Sequence, residues 1–287
     1  MLQIFNSYGV VVKEINPGIK ISIINNQDNM IKLAIPKNKI YDELLIDSEK
    51  IGSTDGIEII RANENECSRL MLNNMVSAAL LTPIGYGSGM YQADYRIIPA
   101  SVLVSEAYTS LASIFFKKDM RFVKKFTTNA PDDFIIIIGR LLLAEKYNLF
   151  PESEHRDLSE TEIINTSETS IVWGGSKAGD TALDISEEWH DIHDLPLPLA
   201  FWVCRAEEHP ENLIQIIESI SAKNSEKIIS EQNGPGKKHF QRQGRLIMKW
   251  NEDIAHALEL TMHFLYYHRI FADIPAVKVL GRDEEHK

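Results

Sequence analysis

Residues 170–205 read SIVWGGSKAGDTALDISEEWHDIHDLPLPLAFWVCR, and the reading of this stretch decides the fold. Residues 170–173 form a short apolar run rich in β-branched and aromatic side chains, which predicts a buried strand. Gly174, Gly175 and Ser176 break it. Two glycines at the end of a strand let the backbone turn sharply and come close to a ligand. Asp184 or Ser186 is placed to cap a short helix carrying Glu187, Glu188 and Trp189. Pro196 and Pro198 end that helix, and residues 199–204 predict a second apolar strand.

Upstream, residues 31–35, 57–60 and 76–81 read as strands, with helical segments at 40–45 and 66–73 between them. Strand–helix–strand–helix–strand order predicts parallel pairing with right-handed crossovers. Ligands of such sheets sit at the carboxyl ends of the strands, so Pro36-Lys37-Asn38 and Thr82-Pro83-Ile84-Gly85-Tyr86 belong at a cleft mouth. Residues 1–28 predict a hairpin turning at Asn16-Pro17-Gly18, to which no chemistry is assigned. Residues 132–147 predict a helix with Pro131 at its first position and Asp132 and Asp133 complementing its dipole. Further helices are expected at 210–220 and 246–271, the latter broken near Asn251-Glu252, with a loop at 234–238.

The 287 residues exceed what one core comfortably serves, so two lobes or two domains are expected. A net charge of −11 argues against a nucleic-acid partner, which needs a basic face. It leaves room for an anionic small ligand, because a cleft can be locally positive on an acidic protein. Two cysteines far apart, Cys67 and Cys204, fit a reduced compartment better than a disulfide framework. The opening MLQIFNSYGVVVKEIN has no basic segment ahead of an apolar one, so no export signal is expected. No run approaches the ~20 apolar residues of a membrane span. The expectation is a cytoplasmic protein, not inserted in a membrane, as monomer or homodimer.

Several residues together resemble the futalosine-pathway enzymes of menaquinone biosynthesis, chorismate dehydratase and the related dihydroxynaphthoate synthase. The quoted stretch resembles that family's strand ending in Gly-Asp, its Asp-Leu-Gly-Glu-x-Trp run, its Gly-Leu-Pro-Phe or Leu-Pro-Leu-Pro segment and the apolar strand that follows. The matching residues are Gly175-Ser176, residues 184–189, residues 194–198 and Ala200-Phe201-Trp202. Residues 95–99, Tyr-Arg-Ile-Ile-Pro, resemble its Tyr-Arg-Ile-Leu-Pro. Asn38, Thr82, Tyr86 and Ser110 match single positions of its cleft loops. The resemblance implies an α/β chain with the two-lobed fold of type II periplasmic binding proteins, a ligand cleft between the lobes and two crossing strands. Residues 102–116 and 199–204 are then the crossing strands, with lobe I at 1–104 and 206–287 and lobe II at 105–205. It implies dehydration of chorismate to 3-[(1-carboxyvinyl)oxy]benzoate, with Asn38 as the catalytic, substrate-orienting residue. Thr82, Tyr86, Ser110, Thr128, Asn129, Gly175 and Ser176 would bind the substrate, a small anion, without metal or organic cofactor. The alternatives are the dihydroxynaphthoate synthase reaction and non-catalytic binding of a small molecule. Residues 33–37 also resemble the opening of ATP phosphoribosyltransferases, but that family continues with Gly-Arg where this chain has Asn38-Lys39.

The chain departs from the family at two points. Ser176 stands where members have Asp, and Asp132-Asp133 stand where members have a Ser-x-Thr-Ser run at a helix start. Two carboxylates there would repel a carboxylate ligand. A shifted register would instead turn Thr127, Thr128 and Asn129 toward the cleft and leave the two Asp residues outside. Other motifs read more simply. His190 and His193 have no third ligand nearby and read as a solvated helix face. GYGSG at 85–89 lacks the Lys-Ser/Thr of a nucleotide loop. Trp189 and Trp202 read as packing residues. No nucleophile triad or dinucleotide fingerprint is present.

Overall fold

The apolar runs become two mixed sheets in the computed structural model, which describes residues 30–46, 56–118, 122–175, 182–231 and 241–282. The expected hairpin at 1–28, Ser176 and the loop at 234–238 lie outside the described residues. The first lobe opens with β1 (Ile31–Pro36), a 3₁₀ helix (Lys39–Leu44), β2 (Ile57–Ala62), α1 (Glu64–Leu72) and β3 (Ala78–Leu81). β2 and β3 flank β1 and run parallel to it, as the alternating order predicts. α2 (Pro83–Gly89) leads to β4 (Tyr95–Ala107), a long strand that is buried over most of its length.

The chain then passes to a second sheet. β5 (Ala112–Phe116), β6 (Lys125–Thr128), α3 (Phe134–Tyr147), β7 (Glu152–His155), α4 (Glu160–Thr166), β8 (Thr169–Trp173), β9 (Ala182–Asp184) and α5 (Ile185–His193) follow. β10 (Leu197–Arg205) returns to the first sheet, pairing antiparallel with both β4 and β3. α6 (Leu213–Ile220), β11 (Glu226–Ser230), β12 (Gln243–Lys249) and α7 (Glu252–Tyr267) complete the first lobe. Among the described residues the first sheet is ordered β11-β12-β4-β10-β3-β1-β2 and the second β7-β6-β8-β5-β9. One buried apolar cluster runs through both lobes, from Leu33 and Tyr41 to Phe134 and Trp189. No helix among the described residues is long and apolar enough to cross a membrane. Cys67 and Cys204 are both buried and free.

Four expectations are corrected. Residues 102–116 are not one crossing strand but two strands in different sheets, β4 and β5. Between them Ala107 and Ser110 take φ of +55° and +58°, which ends the extended run. The helix expected from 246 begins only at Glu252, where the Asn251 side chain accepts from the Ile254 amide at 3.0 Å. Ahead of it β12 is a strand whose Leu246 and Met248 face inward. Gly244 lets β12 lie against β4, since a Cβ there would stand 2.3 Å from the Glu106 carbonyl oxygen. The helix expected at 132 begins at Phe134, with Pro131 in the preceding turn. The helix expected at 210 begins at Leu213.

Asp184 ties the two passages between the sheets together. Its carboxylate caps α5 by accepting from the Glu187 amide at 3.0 Å. It also accepts from the Ser110 amide at 2.7 Å and, weakly, from Thr109 at 3.5 Å. Beside it, Thr109 donates to Ser186 and Ser186 to Ser105, each at 2.9 Å, so these buried hydroxyls are satisfied in a chain. Replacing Asp184 with Ala strands amide donors in a dry site. Loss of the cap and of these bonds should cost about 2–4 kcal/mol. Asp184→Asn, which keeps one acceptor oxygen, should cost less. Urea unfolding measures both, and a loss below about 1 kcal/mol for the Ala variant would refute the assignment.

Candidate functional site

A cavity of about 690 Å³ lies where the loop after β1 faces the loop after β8. The first lobe contributes Lys37, Asn38 and Lys39. The second contributes Trp173, Gly174 and Gly175, with Phe115 of β5 and Glu160, Thr161, Ile164 and Asn165 of α4. The loop position follows from the strand order, because β1 is central among parallel strands and its carboxyl end opens at the lobe boundary. Asn38 caps the 3₁₀ helix by accepting from the Ile40 amide at 3.1 Å through its side-chain oxygen. Among the described residues the side-chain amide nitrogen of Asn38 has no hydrogen-bond partner. Neither Lys37 nor Lys39 is paired with a described residue. On the facing wall, Phe115, Ile164 and Trp173 give an apolar surface.

The two glycines are required by geometry. Gly174 has φ +104°, a conformation that side chains disfavour. A Cβ on Gly175 would stand 1.5 Å from Ser110 Oγ, so the loop rests directly on Ser110. Ser110 thus lies behind Gly175, held by its amide bond to Asp184.

The remaining sequence-derived positions are scattered. Thr82 is buried and accepts from the Gly85 amide at 3.3 Å, capping α2. Tyr86 is fully enclosed, its hydroxyl donating to the Ala276 carbonyl and accepting from the Lys278 amide. Thr128 is enclosed, its hydroxyl accepting from the Ala130 amide. Asn129 donates to the Leu158 carbonyl and to Glu160, which lines the cavity. Of the sequence-derived residues, the cavity brings together Asn38 and Gly175, with Ser110 behind, while Asn129 reaches it only through its bond to Glu160. His190 Nε2 lies 4.0 Å from Asp194, and His193 packs at a tilt of 48° against Trp189, with ring centroids 4.1 Å apart. Among the described residues no three His, Cys, Asp or Glu side chains gather as metal ligands would.

A second, smaller cavity of about 360 Å³ adjoins the start of α3. It is lined by Asn63, Glu64 and Asn65 from the first lobe and by residues 129–133 and His155 from the second. The α3 start is therefore acidic on the interlobe side. Asp133 accepts from Trp173 Nε1 at 2.7 Å, which joins the two cavity walls. Burial, with Asp132 adding, raises the Asp133 carboxyl above its usual range, against the lowering effect of that bond. Glu64 is the residue sequence reading misses. It is 8 % exposed and accepts from Tyr41 Oη at 2.7 Å and from the Phe134 amide at 2.8 Å. Burial first, and Asp133 second, push its carboxyl up to about 8. Nothing in the sequence around Glu64 signals this, because an acid in the first turn of a helix is commonplace.

No family model matches this chain, and no curated protein matches its sequence. Solved structures do resemble it. The periplasmic aliphatic sulphonate binding protein SsuA from Escherichia coli is 9% identical, over 86% of this chain and 90% of its own, with a TM-score of 0.51. Protein AF1704 from Archaeoglobus fulgidus is 14% identical, over 84% of this chain and 78% of its own, with a TM-score of 0.47. The alkanesulfonate-binding protein SsuA from Xanthomonas axonopodis pv. citri is 9% identical, over 87% of this chain and 96% of its own, with a TM-score of 0.44. At such identities the likeness shows the fold alone. The chain has the two-lobed α/β fold of type II periplasmic binding proteins.

Two outcomes test this geometry. Gly175→Ala forces a methyl group into Ser110 and should destabilise the chain by about 1–3 kcal/mol, as overpacking does. Adding Ser110→Gly removes the obstruction and suits the positive φ there, so the double variant should recover most of the loss in a thermal melt. The second outcome concerns pH. The native Glu64 carboxyl holds a proton up to about 8, whereas the unfolded chain releases it near the usual 4.5. Its stabilising contribution is therefore full below the lower value and is lost as pH rises through the upper one. Melting temperature relative to Glu64→Gln should fall between about pH 5 and about pH 9. A difference that does not change with pH would contradict the burial of this acid.

Proposed function

We propose that this chain binds a small organic anion bearing one acid group in the cleft between its lobes. The observation that carries the reading is the ~690 Å³ cavity itself, with Lys37, Asn38 and Lys39 on one wall and Trp173, Phe115 and the two glycines on the other. That volume suits a compact molecule, since ligand cavities run from about 300 to 1,000 Å³. The acid group sits against the lysines and the Asn38 amide. The apolar or ring portion lies on Trp173 and Phe115. Gly174 and Gly175 let the backbone approach it closely.

Within this class, dehydration of chorismate is the reaction the sequence resemblance implies, and the place of Asn38 in the cavity favours it. In that reaction a ring proton passes to an acceptor, the hydroxyl departs as water, and the ring becomes aromatic. Asn38 would hold the substrate by its amide N–H, and the enclosing walls would fix its orientation. The acidic α3 start weighs against a ligand with two carboxylates. Each like charge at ~4 Å costs on the order of 1 kcal/mol in water and more in a drier cleft. Binding of a monoanion without turnover is therefore the first reading and the lyase the second.

A thermal-shift series with benzoate, an alkanesulfonate and chorismate tests the first reading, with mass detection of water loss for chorismate testing the second. A ligand at 100 times its Kd raises stability by about 2.7 kcal/mol. The double variant Lys37→Ala/Lys39→Ala should weaken monoanion binding about ten-fold or more, on the order of 1 kcal/mol per lost charge. Turnover of chorismate abolished by Asn38→Ala would select the lyase. No shift with any anion would overturn the binding reading.

A further inference from the structure

We propose that Glu64 is an internal acid that latches the two lobes together by occupying the start of α3 from the opposite lobe. The observation is a cap supplied from the wrong side. Asp133, the residue preceding α3, makes no side-chain cap bond to the helix, because its carboxylate is taken by Trp173. The amide of Phe134, the first α3 residue, is served instead by Glu64 of α1, which belongs to the other lobe. Seventy residues of sequence separate the two partners.

Glu64 is held in place from its own lobe. Asn63 caps α1 by accepting from the Glu66 amide at 2.7 Å, and Ser68 donates to the Glu64 carbonyl at 3.0 Å. Tyr41 on the 3₁₀ helix fixes one carboxyl oxygen and leaves the other for Phe134. Tyr41 and Phe134 are 1 % and 2 % exposed, so the contact is dry. Any motion that parts the lobes must take Glu64 away from Phe134. It would then expose an amide donor at the positive end of a 14-residue helix. While the latch holds, that donor is occupied by Glu64.

Amide hydrogen exchange on the full chain without ligand tests the latch alone. Glu64→Ala should raise exchange at the start of α3 about ten-fold or more, while amides of the central strand β1 keep their wild-type protection. Small-angle scattering should show a larger radius of gyration for the same variant. Glu64→Gln, with a carbonyl for Phe134 and an amide group toward Tyr41, should stay closed. If Glu64→Ala also loses protection in β1, Tyr41→Phe replaces it and should raise exchange at α3 several-fold. Wild-type exchange at the α3 start in whichever variant is folded would overturn the latch.

Discussion

The chain crosses between its two sheets twice, and one buried carboxylate holds both crossings. Asp184 accepts amides from the first passage, at Thr109 and Ser110, and caps α5, which leads into the second. Its carboxyl is pushed up to about 6 by burial, against the lowering effect of the three amides. A carboxylate at a helix start also meets the positive end of the helix dipole. The consequence reaches the cleft. Ser110 is fixed by Asp184, and Gly175 rests on Ser110, so the floor of the larger cavity is set by the same side chain that sets the crossing. The interlobe connection and the glycine loop that lines the cavity are one mechanical unit.

The cleft is electrically divided. Lys37 and Lys39 lie on one cavity, and Asp132 and Asp133 on the other, beside Glu64, whose carboxyl burial keeps protonated up to about 8. Trp173 separates them, lining the first cavity while donating to Asp133 of the second. A protein of net charge −11 can thus present a local positive wall at its cleft. The two sides also differ in solvation. The lysines are exposed, so their attraction for an anion is screened by salt. Glu64 is enclosed, so its hydrogen bonds act at full strength and resist screening.

Much of the architecture is legible in the sequence, for reasons particular to each element. β1, β3, β8 and β10 are apolar runs bounded by turn residues, and a strand buried on both faces reads that way without knowledge of its partners. β12 is not legible. Leu246, Trp250, Ile254 and Leu258 stand four residues apart, which mimics a continuous helix face, and only pairing with β4 and β11 shows that the first of them is in a strand. The start of α3 misleads differently. Pro131 suits a first helical position, yet the helix starts only at Phe134, whose amide is met from another lobe. The same asymmetry divides the site. Asn38 and Gly175 follow from strand ends and glycine breaks, which are local signals. Glu64 and Trp173 act through partners 70 and 40 residues distant, and no local pattern announces such a pairing.

That a buried acid, rather than an apolar contact, joins the lobes at α3 has an energetic logic. A well-packed apolar pair in this place would stabilise closure as much or more, since burying an ionisable group carries a desolvation cost. Such a contact would also make opening costly, because all of its area returns to water at once. Glu64 behaves otherwise. Opening returns its carboxyl to water, where hydration recovers what burial withheld, and the Phe134 amide can be hydrated as well. The net worth of such a hydrogen bond is only about 1 kcal/mol, although it is stronger in the dry state. The contact therefore fixes geometry firmly when closed and yields cheaply when parted. For the ligand cleft proposed above, that combination permits opening more readily than a larger apolar seam would.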